Sequence, residues 1–128
     1  MSNRAINPDG IAPPAANYVH AVATEGASRW LHTSGVVPTA PDGTCSTDIG
    51  EQAREVWRTI GALLAEVALG PADVVSVTTY VVPDQPLGEV MAARDAFFGD
   101  HRAASTLLTV PALARPEWLM EIAIVAAR

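Results

Sequence analysis

The 128-residue sequence predicts an α+β fold in which two helices cover one face of a β-sheet. Two segments carry apolar residues at the three- and four-residue spacing of a helix, and the segments around them are rich in β-branched residues. Hydrophobic residues make up 49% of the chain and charged residues 17%, which is typical of a globular protein. We therefore expect one domain spanning residues 1–128.

The chain before the first helix predicts an irregular arm followed by short strands. Residues 1–17 are rich in proline, asparagine and alanine and show no regular apolar pattern. Tyr18–Ala23 and Arg29–Ser34 are strand candidates, and the glycine-containing stretch 24–28 between them is typical of a hairpin loop. The sequence leaves open whether a further short strand precedes the first helix.

The first helix is predicted to begin after Asp48. This residue can act as an N-cap, and Glu51 three residues later is the reciprocal partner of a capping box. Gly70 and Pro71 are expected to end the helix. Apolar residues at helical spacing define one face, and they are Ala53, Val56, Trp57, Ile60, Leu63, Leu64 and Val67.

The second half of the chain predicts a strand, a helix and two more strands. Val74–Val82 is β-branched nearly throughout, and Leu87–Phe98 has helical spacing. Ala104–Val110 and Trp118–Ala126 predict the last two strands. Because two helices cover only one face of such a sheet, apolar residues on both faces of Val74–Val82 favour a homo-oligomer in which partner subunits cover the other face.

The composition excludes several classes of function. All eight basic residues are arginine, which rules out a Schiff-base lysine and a phosphate-loop lysine. The net charge of −6 argues against nucleic-acid partners and anionic membranes, because both bind clustered positive charge. The single cysteine, Cys45, permits no intrachain disulfide, and no residues have the spacing of a metal site. Without a membrane-length apolar run or a signal-peptide core, a cytoplasmic protein is expected.

An ordered series of short segments carries a family resemblance. The segments are Asn7–Gly10, Tyr18–Val22, Thr33–Pro38, Asp48–Arg54, Asp73–Val75, Ala96–Gly99, Ala104–Leu107 and Met120–Ile122. Taken together they resemble the YjgF/RidA (reactive intermediate deaminase) family over nearly the whole chain. No single segment is specific, whereas their order across one domain-length chain is.

The resemblance implies a chorismate-mutase-like subunit that assembles as a trimeric barrel with ligand clefts between subunits. In the deaminase branch of the family, these clefts hydrolyse 2-enamino or 2-imino acids to 2-oxo acids and ammonia. The family uses no metal and no organic cofactor. The implied partners are a small imine- or enamine-type substrate and further copies of the chain, with no nucleic acid and no membrane.

The resemblance also assigns roles to individual residues. The tyrosine of the cleft corresponds to Tyr18, the serine of the T-S-G turn to Ser34, and the glutamate that positions the attacking water to Glu121. The arginine that binds the substrate carboxylate has no counterpart, because Ser105 stands at that position.

This missing arginine is the most informative departure from the family pattern. A guanidinium binds a carboxylate bidentately, whereas Ser105 offers one neutral hydrogen bond, worth about 1 kcal/mol net. The site is therefore expected to bind a substrate without a free 2-carboxylate, to bind that group differently, or to have lost the reaction. Two other positions also differ, since Met91 replaces a frequent asparagine and Leu107 a cysteine.

The residues themselves also single out Glu121. It carries the only charge in Trp118–Ala126, a segment that otherwise predicts a buried strand. Ionising a carboxyl group in such a strand is costly, and a carboxyl group in this setting can act as a general acid or base. The alternative is a glutamate on an edge strand that points into solvent, and the pattern alone leaves both open.

Further candidates for substrate binding are polar or aromatic strand residues. Ser105 and Thr106 are adjacent, so strand alternation places only one of them in a cleft. His32 shares a strand face with the serine of the T-S-G turn, although an ordinary exposed or hydrogen-bonded histidine is the alternative. Trp30 and Trp118 are candidates for lining an apolar ligand pocket.

These observations support two principal hypotheses and disfavour a third. The first is an enzyme that converts an imine or enamine, for example in a specialised biosynthetic pathway, with Glu121 as general acid–base or water-positioning residue. The second is a non-catalytic trimer that binds a small metabolite and has lost deaminase activity with the arginine. RNA cleavage, an activity attached by name to some relatives of the family, is disfavoured by the acidic charge and the absence of lysine.

Overall fold

A computed structural model describes the whole chain, residues 1–128, and confirms the α+β fold class. Neither helix is both long and apolar enough to cross a membrane. The elements are β1 (Ser2–Ile6), β2 (Ala21–Glu25), β3 (Trp30–His32), α1 (Ile49–Glu66), β4 (Val74–Val81), α2 (Leu87–Phe98), β5 (Ala104–Thr109) and β6 (Met120–Ala127).

The main sheet is mixed and has the strand order β3-β6-β4-β5. Strands β4 and β5 are parallel because α2 connects them as a crossover, and the other neighbours are antiparallel. This order makes β5 one edge of the sheet and leaves β6 in its interior.

Strand alternation gives the main sheet two different faces. On β6, Met120, Ile122 and Ile124 are buried in the core against the helices, and the residues between them point to the other side. On that other side, which we call the open face, no helix packs, and its central residues are half-buried or exposed. The open face consists of Ser76, Thr78, Tyr80, Thr106, Leu108, Glu121, Ala123 and Val125.

The ends of α1 differ in detail from the prediction. The Asp48 side chain accepts a hydrogen bond of 2.9 Å from the Glu51 N–H, which confirms the N-cap. The Glu51 carboxylate instead accepts from the Ser46 hydroxyl at 2.8 Å, so the reciprocal half of the capping box is wrong. The helix also ends before Gly70, since Ala68 adopts a left-handed backbone with a φ of 56°.

The N-terminal prediction was wrong in two respects. Strand β1 is regular within the segment expected to be irregular, and β2 pairs with β1 instead of with β3. The stretch 24–28 therefore connects two sheets and is not a hairpin loop. Side-chain contacts hold β1, since Asn3 donates to the Ala127 carbonyl and accepts from the Thr24 hydroxyl, both at 2.8 Å. The two-stranded ribbon buries neither face fully, so its sequence needs no apolar alternation.

Candidate functional site

Glu121 lies on the open face of the interior strand β6, directly opposite Tyr80 of β4. Its neighbours Met120 and Ile122 are 0% and 1% exposed on the core side, whereas Glu121 is half-buried. An edge-strand glutamate is therefore excluded, because β6 has a paired strand on each side.

A one-residue bulge adjoins Glu121. The Thr33 N–H donates to the Ile124 carbonyl at 3.1 Å, and Val36 exchanges two hydrogen bonds with Ile122 at 2.7 and 3.1 Å. Three steps along the chain from Thr33 to Val36 thus match two steps along β6. The extra residue is accommodated at Ser34 and Gly35, where the backbone bends away from the ladder.

Gly35 and the Glu121 carboxyl group occupy adjoining space. A Cβ atom built on Gly35 would overlap the carboxyl group and would lie only 3.0 Å from the Glu121 Cγ. The absence of a side chain at position 35 therefore lets the carboxyl group rest on the bulge. Ser34, the preceding residue, is exposed beside it.

Tyr18 lies at the opposite edge of the sheet. The Val19 N–H donates to the Ala103 carbonyl at 3.1 Å, and this contact places Tyr18 beside the start of β5. The Tyr18 hydroxyl accepts a hydrogen bond of 3.1 Å from the Ala15 N–H. Asn17 fixes the same arm by donating to the Asp95 carboxylate at 2.9 Å.

The electrostatics at this anchor favour an ionised Asp95. Partial burial alone would raise the pKa of Asp95, but hydrogen bonds from Asn17 and Arg94 outweigh it and lower the pKa below its usual value. The arm that carries Tyr18 is thus attached to α2 by the hydrogen bond from the Asn17 amide to the ionised Asp95 carboxylate.

The two β5 candidates lie on different faces of the sheet. Ser105 is in register with Val77, which is buried in the core, so the serine lies on the helix side. Thr106 is in register with Thr78, so the threonine lies on the open face and is exposed. Within one chain, Thr106 therefore shares a face with Glu121 and Ser105 does not.

Most predicted site residues thus form two separate groups. The bulge half comprises Ser34, Gly35 and Glu121, and the edge half comprises Tyr18, Ser105 and Thr106. Strand β4 lies between β6 and β5, so the two halves are roughly 10 Å apart across the sheet, or two strand spacings. No single chain brings Tyr18 and Glu121 together.

His32 and Trp118 lie apart from both halves. His32 is exposed on β3 opposite Val125 and stacks on Trp30 with ring centroids 6.2 Å apart. Trp118 lines a cavity of about 380 Å³ beyond the ends of β4 and β5, where Arg115 lies 5.3 Å from its ring centroid. Glu121 does not line this cavity.

Two other features carry no chemistry of this site. The largest cavity, about 620 Å³, lies between α1 and α2 and is lined by none of the predicted site residues. Burial and the nearby charge of Glu117 raise the pKa of Cys45, which keeps the thiol protonated. No group of three or more His, Cys, Asp or Glu side chains is placed to hold a metal ion.

Sequence reasoning missed two residues that adjoin Glu121. The sequence predicts a turn at Gly35, whereas the contact of this glycine with Glu121 decides where the carboxyl group lies. Tyr80 is directly opposite Glu121, and its position depends on a strand register that one sequence does not contain. The alternation of residues along Val74–Val82 assigns Tyr80 to one face of the strand. It does not show that Glu121 of β6 lies opposite Tyr80.

Comparison with known proteins identifies the family. A family model described as Endoribonuclease L-PSP matches residues 10–128. The chain belongs to this family. As a member of the Endoribonuclease L-PSP family, it resembles a Yersinia pestis protein of the conserved Rid family, with 31% identity, a TM-score of 0.87 and full coverage of both chains. The predicted YjgF/RidA membership is thereby confirmed.

Two further relatives match a smaller part of the chain. A Mycobacterium tuberculosis member of the YjgF/YER057c/UK114 family is 27% identical, with a TM-score of 0.69 over 89% of each chain. A 2-iminobutanoate/2-iminopropanoate deaminase of Salmonella typhimurium is 32% identical over 72 residues. That match spans 56% of this chain and 56% of the deaminase.

Proposed function

We propose that this protein is a hydrolase that converts an imine or enamine to a carbonyl compound and ammonia, with Glu121 as the general acid–base. The observation that carries the proposal is the position of the Glu121 carboxyl group. It lies on the interior strand β6 and rests on the bulge at Gly35. The reaction class comes from the Salmonella typhimurium relative, whose name describes a 2-imino acid deaminase.

The proposed active unit is a homotrimer that joins the two halves of the site. Trp30 and Leu108 lie on the side of the sheet that no helix covers, and their exposed fractions are 48% and 43%. Contact between copies of the chain would bury both side chains. A cyclic arrangement that sets the β5 edge of one copy against the bulge of the next brings Tyr18 beside Glu121. Each cleft then contains one edge half and one bulge half.

The proposed reaction needs one proton-transfer group. Protonated Glu121 donates its proton to the β-carbon of the enamine, which gives the iminium form. A water molecule adds to the carbon atom that is bonded to nitrogen, and the Glu121 carboxylate takes one of the protons of this water. Glu121 then returns this proton to the amino group of the carbinolamine, ammonia leaves, and the hydroxyl group gives its proton to the Glu121 carboxylate as the carbonyl double bond forms. The net change is one enamine and one water to one carbonyl compound and one ammonia.

Ser105 limits the proposed substrate class. The edge half provides hydroxyl groups from Tyr18 and from one of the adjacent residues Ser105 and Thr106, but no guanidinium on β5. Neutral hydroxyls suit an amide or ester carbonyl better than a free carboxylate, because a desolvated anion needs a charged partner. We therefore propose a substrate whose carbonyl group next to the C=N or enamine carbon is not a free acid.

A matched pair of enamines tests this proposal. 2-Aminoacrylate and 2-aminoacrylamide are released by β-elimination from S-aryl cysteine and S-aryl cysteinamide, and ammonia formation is followed with and without protein. We expect the protein to accelerate hydrolysis of the amide more than that of the acid. Glu121→Gln should lower turnover by about 10² to 10⁴, the usual contribution of a positioned acid–base group. Glu25→Gln, which changes an exposed strand glutamate, is the control.

The results of these assays distinguish the acid–base role of Glu121 from the proposed substrate class. Full turnover by the Glu121→Gln variant would exclude the acid–base role while leaving the reaction class intact. Faster hydrolysis of the acid than of the amide would contradict the substrate class alone.

A second candidate function is the non-catalytic binding of a small metabolite in the same clefts. The observation that favours it is Ser105, because the family's charged anchor is absent. This reading is supported if the wild-type protein accelerates neither enamine and yet binds the stable product analogue pyruvamide. RNA cleavage, which the family description names, is not proposed, since a net charge of −6 opposes binding of the RNA backbone.

A further inference from the structure

The groove between α1 and α2 has the dimensions of a small-molecule site. Its volume of about 620 Å³ lies within the range of roughly 300 to 1,000 Å³ that is usual for ligand pockets. The groove lies in the helix layer, on the opposite side of the main sheet from Glu121. Subunit contacts through the open face would therefore leave it accessible.

Small side chains form the groove and an aromatic pair forms part of its wall. Ala92, Ala93 and Ala96 line it from α2, and Gly61 lines it from α1. A Cβ atom on Gly61 would lie 3.6 Å from Phe97, an ordinary contact distance, so the glycine leaves room beside the aromatic ring. Trp57 and Phe97 stack with ring centroids 4.6 Å apart, which gives the groove a flat apolar surface.

The Trp57 indole lines the groove with its ring and not with its N–H group. Trp57 lines the groove, is 3% exposed, and its indole Nε1–H has no hydrogen-bond acceptor. It is the one buried side-chain polar atom of the chain without a partner. A molecule in the groove therefore contacts the Trp57 ring, and its polar groups find their partners elsewhere in the lining.

Two charged residues lie at one end of the groove. Arg54 and Trp57 are three residues apart and therefore share a helix face. Arg54 forms no ion pair within 4.0 Å, whereas Arg58 is paired with Glu55 at 2.7 Å. Two carboxylates lie near Arg54: the Asp48 Oδ2 lies 3.2 Å from the position of a Cβ on Gly50, and the Glu89 Oε1 and the Arg54 Nη1 each lie 3.4 Å from it. Asp48 caps α1, whereas Glu89 and Arg54 form no ion pair within 4.0 Å and remain available to a ligand.

We infer that the α1–α2 groove is a second ligand site, which binds a small zwitterion with an apolar side chain, such as a hydrophobic α-amino acid. The carboxylate of the ligand accepts hydrogen bonds from the Arg54 guanidinium. The ammonium group lies against Glu89, and the side chain covers the alanine surface of α2. The inference does not depend on the reaction at Glu121.

Binding of L-phenylalanine to the full-length protein tests this inference. The indole resonance of Trp57, assigned with a Trp57→Phe variant, is followed by ¹H–¹⁵N spectroscopy during titration. We expect a saturable shift, with affinity at least fivefold weaker for 3-phenylpropanoate and for phenethylamine, which each lack one charge. Arg54→Gln should weaken L-phenylalanine binding about tenfold.

A filled groove provides the matched control. Ala96→Leu places a larger side chain in the groove and should abolish the shift, whereas Ala62→Leu enlarges an exposed α1 residue outside the groove and should not. Circular dichroism verifies that both variants are folded. No saturable shift in the wild-type protein, or equal affinity in the Ala96→Leu or Arg54→Gln variant, would overturn the inference.

Discussion

At the scale of single residues, Gly35 is the clearest case in which an absent side chain matters. The Glu121 carboxyl group lies where a Cβ at position 35 would be. Gly35→Ala should therefore displace the carboxyl group and lower kcat for the amide enamine by about 10², since small misplacements of a reacting group cost that much. The measurement is steady-state turnover, with kcat and KM determined separately.

The matched control for this variant is Gly88→Ala. A Cβ at Gly88 meets nothing within 4 Å, and the residue lies in α2, where alanine is favourable. Gly35→Ala should retain its fold by circular dichroism while losing kcat, and Gly88→Ala should lose neither. Unchanged kcat in a folded Gly35→Ala variant would show that the bulge does not position Glu121.

At the scale of elements, one buried amide joins α1 to the loops around the site. Gln52 is 0% exposed, and its Nε2 donates to the carbonyl groups of Ser46 at 2.7 Å and Glu117 at 2.9 Å. Its Oε1 accepts from the Leu119 N–H at 2.9 Å. The residue therefore fixes the segment that leads into β6 and so into Glu121.

Gln52→Leu should destabilise the protein by about 3 kcal/mol, because three partly buried hydrogen bonds to the backbone are lost at once. Chemical denaturation measures the loss as a change in the free energy of unfolding. Gln85→Leu changes a half-buried glutamine outside this network and should cost far less. Equal losses in the two variants would refute the role assigned to Gln52.

The sequence predicts those helices and strands that have a local pattern of apolar residues. Both helices and β4 to β6 follow from local apolar spacing, which is contained in the sequence itself. Strand β1 was missed because a partner strand and the Asn3 hydrogen bonds hold it, and neither leaves a local pattern. Glu121 could be found as a lone charge, but its contact with Gly35 depends on the register between β6 and the bulge.

At the scale of the whole molecule, a single chain presents an incomplete site. Its helix face is covered, its opposite face is open, and Tyr18 and Glu121 lie on different sides of β4. We therefore predict that neighbouring copies complete each cleft. Light scattering should first give a particle of about three times the 13.4 kDa chain mass.

The most direct test mixes two inactive subunits. Tyr18→Phe removes the hydroxyl of the edge half and Glu121→Gln the carboxyl of the bulge half, so neither variant alone has an intact cleft. If each cleft takes its halves from neighbouring copies, random reassembly of equal amounts restores about a quarter of the clefts. We predict recovery of about a quarter of wild-type turnover of 2-aminoacrylamide in the mixture. A mixture that forms mixed trimers and stays inactive would contradict the sharing of each cleft between neighbouring copies, because both halves would then belong to one chain.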